Sequence, residues 1–219
     1  MTPYDVDTHP QLWGTCMGFQ WLLIAAAKDS HILDPADGTQ MDAYNISMSL
    51  DFSPSAASSK LLAHASPGVY DILATQNVTM NNHHYGIYTQ HFKDTESLSS
   101  FYDLLSTNVD RQGVEFVSTM EAFKYPIYGT QWHPEKNSFE WYQTNGIPYE
   151  AINHSPEAIY ITQYVSNFFV NNARKSSHKF ADPDEENARL IYNYEKVKAG
   201  PSFVETYYLP NDFQMDLQI

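Results

Sequence analysis

At 219 residues the chain has room for one domain, or for one domain with an extension. Its 42% hydrophobic and 15% aromatic residues supply a core, which excludes global disorder. A formal charge of −14, with no basic run longer than Arg174-Lys175, argues against nucleic acid as a partner, because phosphate binding needs a concentrated basic face.

The longest uninterrupted apolar run, Trp21 to Ala27, is far short of a membrane span, so no membrane partner is expected. A single cysteine, Cys16, allows no intrachain disulfide and leaves the redox compartment open. The opening Met1-Thr2-Pro3-Tyr4-Asp5 is polar and acidic, unlike a signal peptide. Asn45, Asn77 and Asn153 open Asn-x-Ser/Thr sequons, which permit a secretory life without demonstrating one.

In chain order, residues 1–11 read as a polar loop and 12–28 as a strand, a sharp turn and a helix. Ile46, Met48, Leu50 and Phe52 alternate as in a half-buried strand. Ser66-Pro67-Gly68 opens a helix with proline at its first position. Residues 81–88 read as a turn entering a strand. Leu98, Phe101, Leu104 and Leu105 take helical spacing after Asp94-Thr95. Val114 to Met120 and Tyr125 to Gln131 are expected as strands. Ser155-Pro156-Glu157 opens the clearest helix, with Ala158, Ile161, Val165, Phe168 and Phe169 on one face and Arg174-Lys175 at its end. After the acidic patch around Asp182 and Asp184, Leu190 to Tyr194 and Phe203 to Leu209 read as β-rich, and the last ten residues as a frayed tail. Helices alternating with strands predict an α/β layered fold. The expected organisation is a catalytic core over residues 1–180 and a β-rich extension over 181–219.

Cys16 lies in Gly14-Thr15-Cys16-Met17-Gly18, between an apolar lead-in and an apolar helix. This is the Gly-x-nucleophile-x-Gly elbow, in which the glycines allow a tight turn and close helix–strand packing. At a helix N-terminus, backbone N–H groups and the dipole favour a thiolate. A lone cysteine is otherwise most often a buried structural residue.

A cysteine nucleophile needs a base within reach and a group to orient that base. Among nine histidines, His133 stands out because it follows a buried-looking strand, at the strand end where α/β proteins place their sites. Glu135, just past Pro134, can fold back to the imidazole and fix its tautomer. Taken singly, His133 also reads as a surface-loop histidine and Glu135 as a solvated carboxylate. A His–Glu metal pair is conceivable too, but neither Cys-x-x-Cys nor His-Glu-x-x-His occurs.

The stretches Gly14-Thr15-Cys16-Met17-Gly18-Phe19-Gln20 and Tyr128-Gly129-Thr130-Gln131-Trp132-His133-Pro134-Glu135-Lys136 together resemble the class I glutamine amidotransferase-like superfamily. Phe116 to Glu121, Lys124 to Pro126, Phe168 to Asn171, Ala173 to Lys175 and Leu190 to Tyr192 narrow the resemblance to its γ-glutamyl hydrolase family, over roughly residues 5–205. The resemblance implies a three-layer αβα, flavodoxin-like sheet. It also implies hydrolysis of folylpoly-γ-glutamates through a thioester, without metal or organic cofactor. Cys16 takes the place of the nucleophile, His133 of the catalytic histidine and Glu135 of its acidic partner. His83 takes that of a substrate-contacting histidine, and the Met17 backbone N–H that of an oxyanion donor. Gln20 falls where the family varies between Glu and Gln and says little.

The family's location is lysosomal, vacuolar or secreted, and a homodimer is compatible with it. Family members carry a longer segment before the elbow than the fifteen residues here. That segment brings sheet strands and a Gly-rich loop holding a second oxyanion donor, worth roughly 3–4 kcal/mol of transition-state stabilisation. The chain is therefore expected to be an N-terminally incomplete enzyme. The rivals are a silent fragment or binding module of the same family, and a different thiol amidase using the same three residues.

Overall fold

The computed structural model describes residues 11–198 and 204–208. Expectations for residues 1–10 and for the last ten residues lie outside the described residues. Two compact units are formed. One comprises residues 11–138 and 150–177, and the other 139–149 with 178–198 and 204–208.

The first unit is built on a five-stranded mixed sheet. Its strands are β1 (Leu12–Thr15), β3 (Asp51–Phe52), β5 (Tyr102–Val109), β6 (Glu115–Ala122) and β7 (Ile127–Thr130), in the order β1-β7-β6-β5-β3. Only β1 and β7 run parallel; the remaining pairs are antiparallel. The separate pair β2 (Ala43–Met48) and β4 (Thr79–His83) is antiparallel with an irregular register.

Helices cover both faces, giving the expected three-layer α/β arrangement. On one face, α1 (Met17–Ala27), α3 (Thr89–Asp94) and α4 (Glu96–Ser99) bury Phe19, Leu23, Phe92 and Leu98 against Val117 and Met120. On the other, α2 (Pro67–Thr75) and α6 (Pro156–Ala173) bury Val69, Leu73, Ile161 and Val165 against Leu105 and Trp132. Strand β6 lies between these layers, and every residue from Phe116 to Ala122 is buried. A strand covered on both sides reads as a continuous run with no inside–outside alternation.

The helices follow local rules. Pro67 and Pro156 sit in first turns, where the missing N–H is no loss. Ser155 Oγ accepts from Ala158 N and caps α6. The apolar stripe of α6 carries the expected residues: Ala158, Ile161 and Val165 are buried, and Phe168 is partly so. Lys28, in the left-handed region at φ 55°, ends α1.

Three expectations are corrected. Leu104 and Leu105 belong to β5: α4 stops at Ser99, because pairing of residues 102–109 with β6 outweighs the helical spacing of the leucines. Residues 81–88, expected as a turn entering a strand, begin instead inside one: Asn81 to His83 are the end of β4, which pairs with β2, and the turn follows. Leu190 to Tyr194 holds a 3-10 turn at Ile191–Asn193.

A short α5 (Lys136–Phe139) closes the first stretch of the first unit. The second unit holds the hairpin β8 (Gln143–Thr144) and β9 (Ile147–Pro148), whose Asn145 and Gly146 both have positive φ, as a tight hairpin turn requires. It also holds α7 (Pro183–Ala188), capped by Asp182, and the hairpin β10 (Lys196–Lys198) and β11 (Glu205–Tyr207). Among the described residues, no helix is long and apolar enough to cross a membrane, and no cluster of three or more His, Cys, Asp or Glu is arranged to hold a metal ion.

Candidate active site

The parallel strands β1 and β7 set Gly14 beside Gly129 and Thr15 beside Thr130. A side chain on Gly14 would meet the Gly18 backbone at 2.6 Å, and one on Gly129 would meet the Phe19 ring at 2.8 Å. This bare patch lets α1 close directly onto the sheet. Gly18 differs: a Cβ there meets nothing within 4 Å, so the expected packing role falls on Gly14 and not on Gly18.

Between strand and helix stands Cys16, with φ 50° and ψ −103°. A non-glycine residue in this region is strained, and the surrounding structure must hold it there. Two bonds do so: Cys16 N donates to Thr130 O at 2.8 Å, and Gln20 N donates to Cys16 O at 3.0 Å. The side chain is partly exposed. Met17 is the first residue of α1, so its N–H has no partner within the helix, and its side chain is largely exposed.

His133 lies three residues beyond β7. Its N–H donates to Met80 O at 2.8 Å, tying the loop to β4. Its Nδ1–H donates to Glu135 Oε1 at 2.7 Å, which leaves Nε2 as the ring nitrogen available to Cys16. Burial opposes a charge on this imidazole. Its hydrogen bonds to Cys16 and Glu135, together with their negative charge, prevail and push it up to about 9. Burial also works against ionisation of Glu135, but the His133 hydrogen bond and charge hold that carboxyl below its ordinary value. Cys16 from the elbow is thus brought to act on His133, which Glu135, two residues on, holds by the other ring nitrogen.

His83 ends β4 and is buried against Phe116, ring edge to face, with centroids 5.0 Å apart. Burial, outweighing all else, lowers its imidazole to about 4. Its two nitrogens face Tyr85 O at 3.0 Å and Asn81 Oδ1 at 3.1 Å. Both neighbours are acceptors, and a neutral imidazole has a single N–H for them.

Three further residues frame the site without a sequence pattern that marks them. Gln131 is fully buried and donates to Cys16 Sγ at 3.7 Å. Lys136 and Glu150 form a buried ion pair at 2.7 Å, and Asn82 Nδ2 also donates to Glu150. A Lys–Glu pair separated by fourteen residues leaves no local signal to find. Gln131 lies within the Tyr128 to Lys136 stretch, which gives no sign of where its amide points.

No protein-family model matches the chain. Curated relatives do. Gamma-glutamyl hydrolase B of Dictyostelium discoideum is 42% identical over 196 residues, 90% of this chain and 53% of the relative. Gamma-glutamyl hydrolase of Mus musculus is 35% identical over 206 residues, 93% of this chain and 61% of the relative. The chain is a relative of the γ-glutamyl hydrolases. It spans little more than half the length of these γ-glutamyl hydrolases, and gamma-glutamyl hydrolase 1 of Arabidopsis thaliana matches in the same way, at 35% identity over 90% of this chain and 53% of its own. Among solved structures, a Thermoplasma acidophilum protein described as part of a GMP synthase aligns over 75% of this chain and 58% of its own, at 15% identity and a TM-score of 0.36.

Proposed function

We propose that this chain hydrolyses γ-glutamyl amide bonds, with folylpoly-γ-glutamates as substrates, through a thioester on Cys16. The observation that carries the reading is the strained Cys16 interacting with His133, whose Nδ1 is bound to Glu135. The names of the relatives supply the γ-glutamyl bond, and the resemblance carried by the sequence motifs supplies the folylpoly-γ-glutamates.

The chemistry follows from the proton positions. The Cys16 thiol passes its proton to His133 and its sulfur adds to the γ-carbonyl carbon. The developing oxyanion takes the Met17 N–H as one donor. As the C–N bond breaks, His133 Nε2–H passes its proton to the leaving amine, and the γ-glutamyl thioester remains. Water then adds to the thioester carbon while the now neutral His133 takes its proton. The C–S bond breaks and the thiolate returns beside an imidazolium. Glu135 keeps the ring in one tautomer throughout. His83 is the substrate contact: a substrate carboxylate beside it favours the imidazolium, whose second N–H serves the acceptor left unsatisfied in the neutral ring.

The test is release of glutamate or oligoglutamate from a pteroyl-polyglutamate at mildly acid pH by this chain and by its Cys16→Ala variant. Cleavage that disappears in the variant is the expected result. Equal product from both chains would overturn the role of Cys16, and silence from a folded wild-type chain would favour the non-catalytic relative.

A further inference from the structure

We propose that Gln131 stabilises the Cys16 thiolate by donation from its side-chain amide, and that it also holds the sulfur as leaving group when the thioester is hydrolysed. The inference rests on the thioester reading above, but its test requires no γ-glutamyl substrate.

Gln131 follows β7 directly. Its backbone is fixed by donation from its N–H to Ser118 O at 2.8 Å, and its side chain is fully buried. The amide orientation follows from its neighbours. Gln20 Nε2, held by donation to Tyr85 O at 2.7 Å, points its other hydrogen at Gln131 Oε1, 3.5 Å away. The same Oε1 lies close to Gly86, where a Cβ would meet it at 3.2 Å. Turning the amide over would set N–H against N–H at Gln20 and an oxygen lone pair against Sγ. The observed orientation gives Gln20 Nε2 an acceptor and aims Nε2–H at the sulfur, where a thiolate accepts it.

A neutral thiol or a thioester sulfur is a weak acceptor, whereas a thiolate takes a charge-assisted bond. The Gln131 bond is therefore strongest in the two situations where negative charge sits on sulfur: before attack on the amide, and when the thioester C–S bond breaks. The titratable groups facing Cys16 are His133 and, behind it, Glu135, both on the loop after β7; His83 on β4 acts on His133 by like charge. Gln131 carries no charge at any pH, so its contribution adds to the imidazolium without competing for the proton.

The experiment uses the single cysteine of the full chain. Iodoacetamide alkylation is followed by mass from pH 5 to pH 10 for wild type and for Gln131→Met, which keeps the length and removes the donor. The expected result is an alkylation rate about tenfold lower at pH 6 in the variant, converging on wild type at high pH, where every thiol is ionised. A folded Gln131→Met chain with the wild-type profile overturns the proposal. So does one slowed equally at every pH, which would mean altered access. Should the variant not fold, the wild-type chain carries the test: the Gln131 side-chain amide resonance in 15N-labelled protein moves with pH over the range in which alkylation accelerates. A resonance that stays put overturns the proposal.

Discussion

Cys16 occupies a backbone conformation that costs about 1–3 kcal/mol by itself and is held there by its bonds to Thr130 and Gln20, while Gly14 lets α1 pack close behind it. With the Gly18 backbone 2.6 Å from any Cβ on Gly14, Gly14→Ala forces β1 and α1 apart, an overpacking loss of about 3 kcal/mol. Gly18→Ala meets open space and is expected within about 0.5 kcal/mol of wild type, since alanine is the better helix former. Urea unfolding of the two variants separates them, and equal losses would contradict this assignment of the packing role. His133 gives a pH-dependent counterpart. Its value of about 9 in the folded chain stands above the ordinary 6.5, so the stability it contributes is fully present below pH 6.5 and is lost as the pH rises through about 9. In Cys16→Ala one of the hydrogen bonds that retain the proton is gone. The His133 ring should then titrate at lower pH by NMR, and the stability loss should begin correspondingly earlier. An unmoved midpoint would mean that thiol and ring are uncoupled.

At the scale of elements, the loop carrying His133 and Glu135 is held at three points. His133 N donates to Met80 O, Thr162 Oγ1 donates to Pro134 O at 2.6 Å, and Lys136 is paired with Glu150. The ion pair is almost wholly buried, so removing one partner strands a charge. Lys136→Met or Glu150→Gln is expected to cost about 3–5 kcal/mol, whereas Lys136→Met with Glu150→Leu should recover most of it. Chemical denaturation of the three variants checks this, and additive losses in the double variant would contradict it. Such anchoring is what the sequence could not disclose. The elbow, the prolines at helix starts and the His133-Pro134-Glu135 turn are legible because each is a local pattern with a local cause. Leu104 and Leu105 mislead for the same reason: their spacing fits a helix, and only pairing with β6, a non-local matter, makes them strand. Gln131 and Glu150 gain their places through contacts with Cys16 and Lys136, across 115 and 14 residues, and no window of sequence contains that information.

For the whole molecule, the charge of −14 bears on the proposed substrates, which are polyanions. The overall field repels them, and repulsion between exposed charges is screened by salt. KM for pteroyl-polyglutamates is therefore expected to fall as sodium chloride is raised from low to physiological concentration, more steeply for longer glutamate chains, with kcat little changed. Steady-state kinetics at several ionic strengths would check it, and a KM that rose with salt would indicate a local attractive field strong enough to dominate.

The position of β1 carries one more consequence. Among the described residues it is paired on one side only, by β7, yet it is the strand from which Cys16 hangs and against which α1 is jammed through Gly14. A polypeptide paired along the other side of β1 would adjoin the strand that leads directly into the thiol-bearing turn, and the reactivity of Cys16 is expected to change with it. The speed at which Cys16 reacts with a small electrophile thus doubles as a gauge of occupancy at that edge, readable in a mass spectrum without labelling anything else.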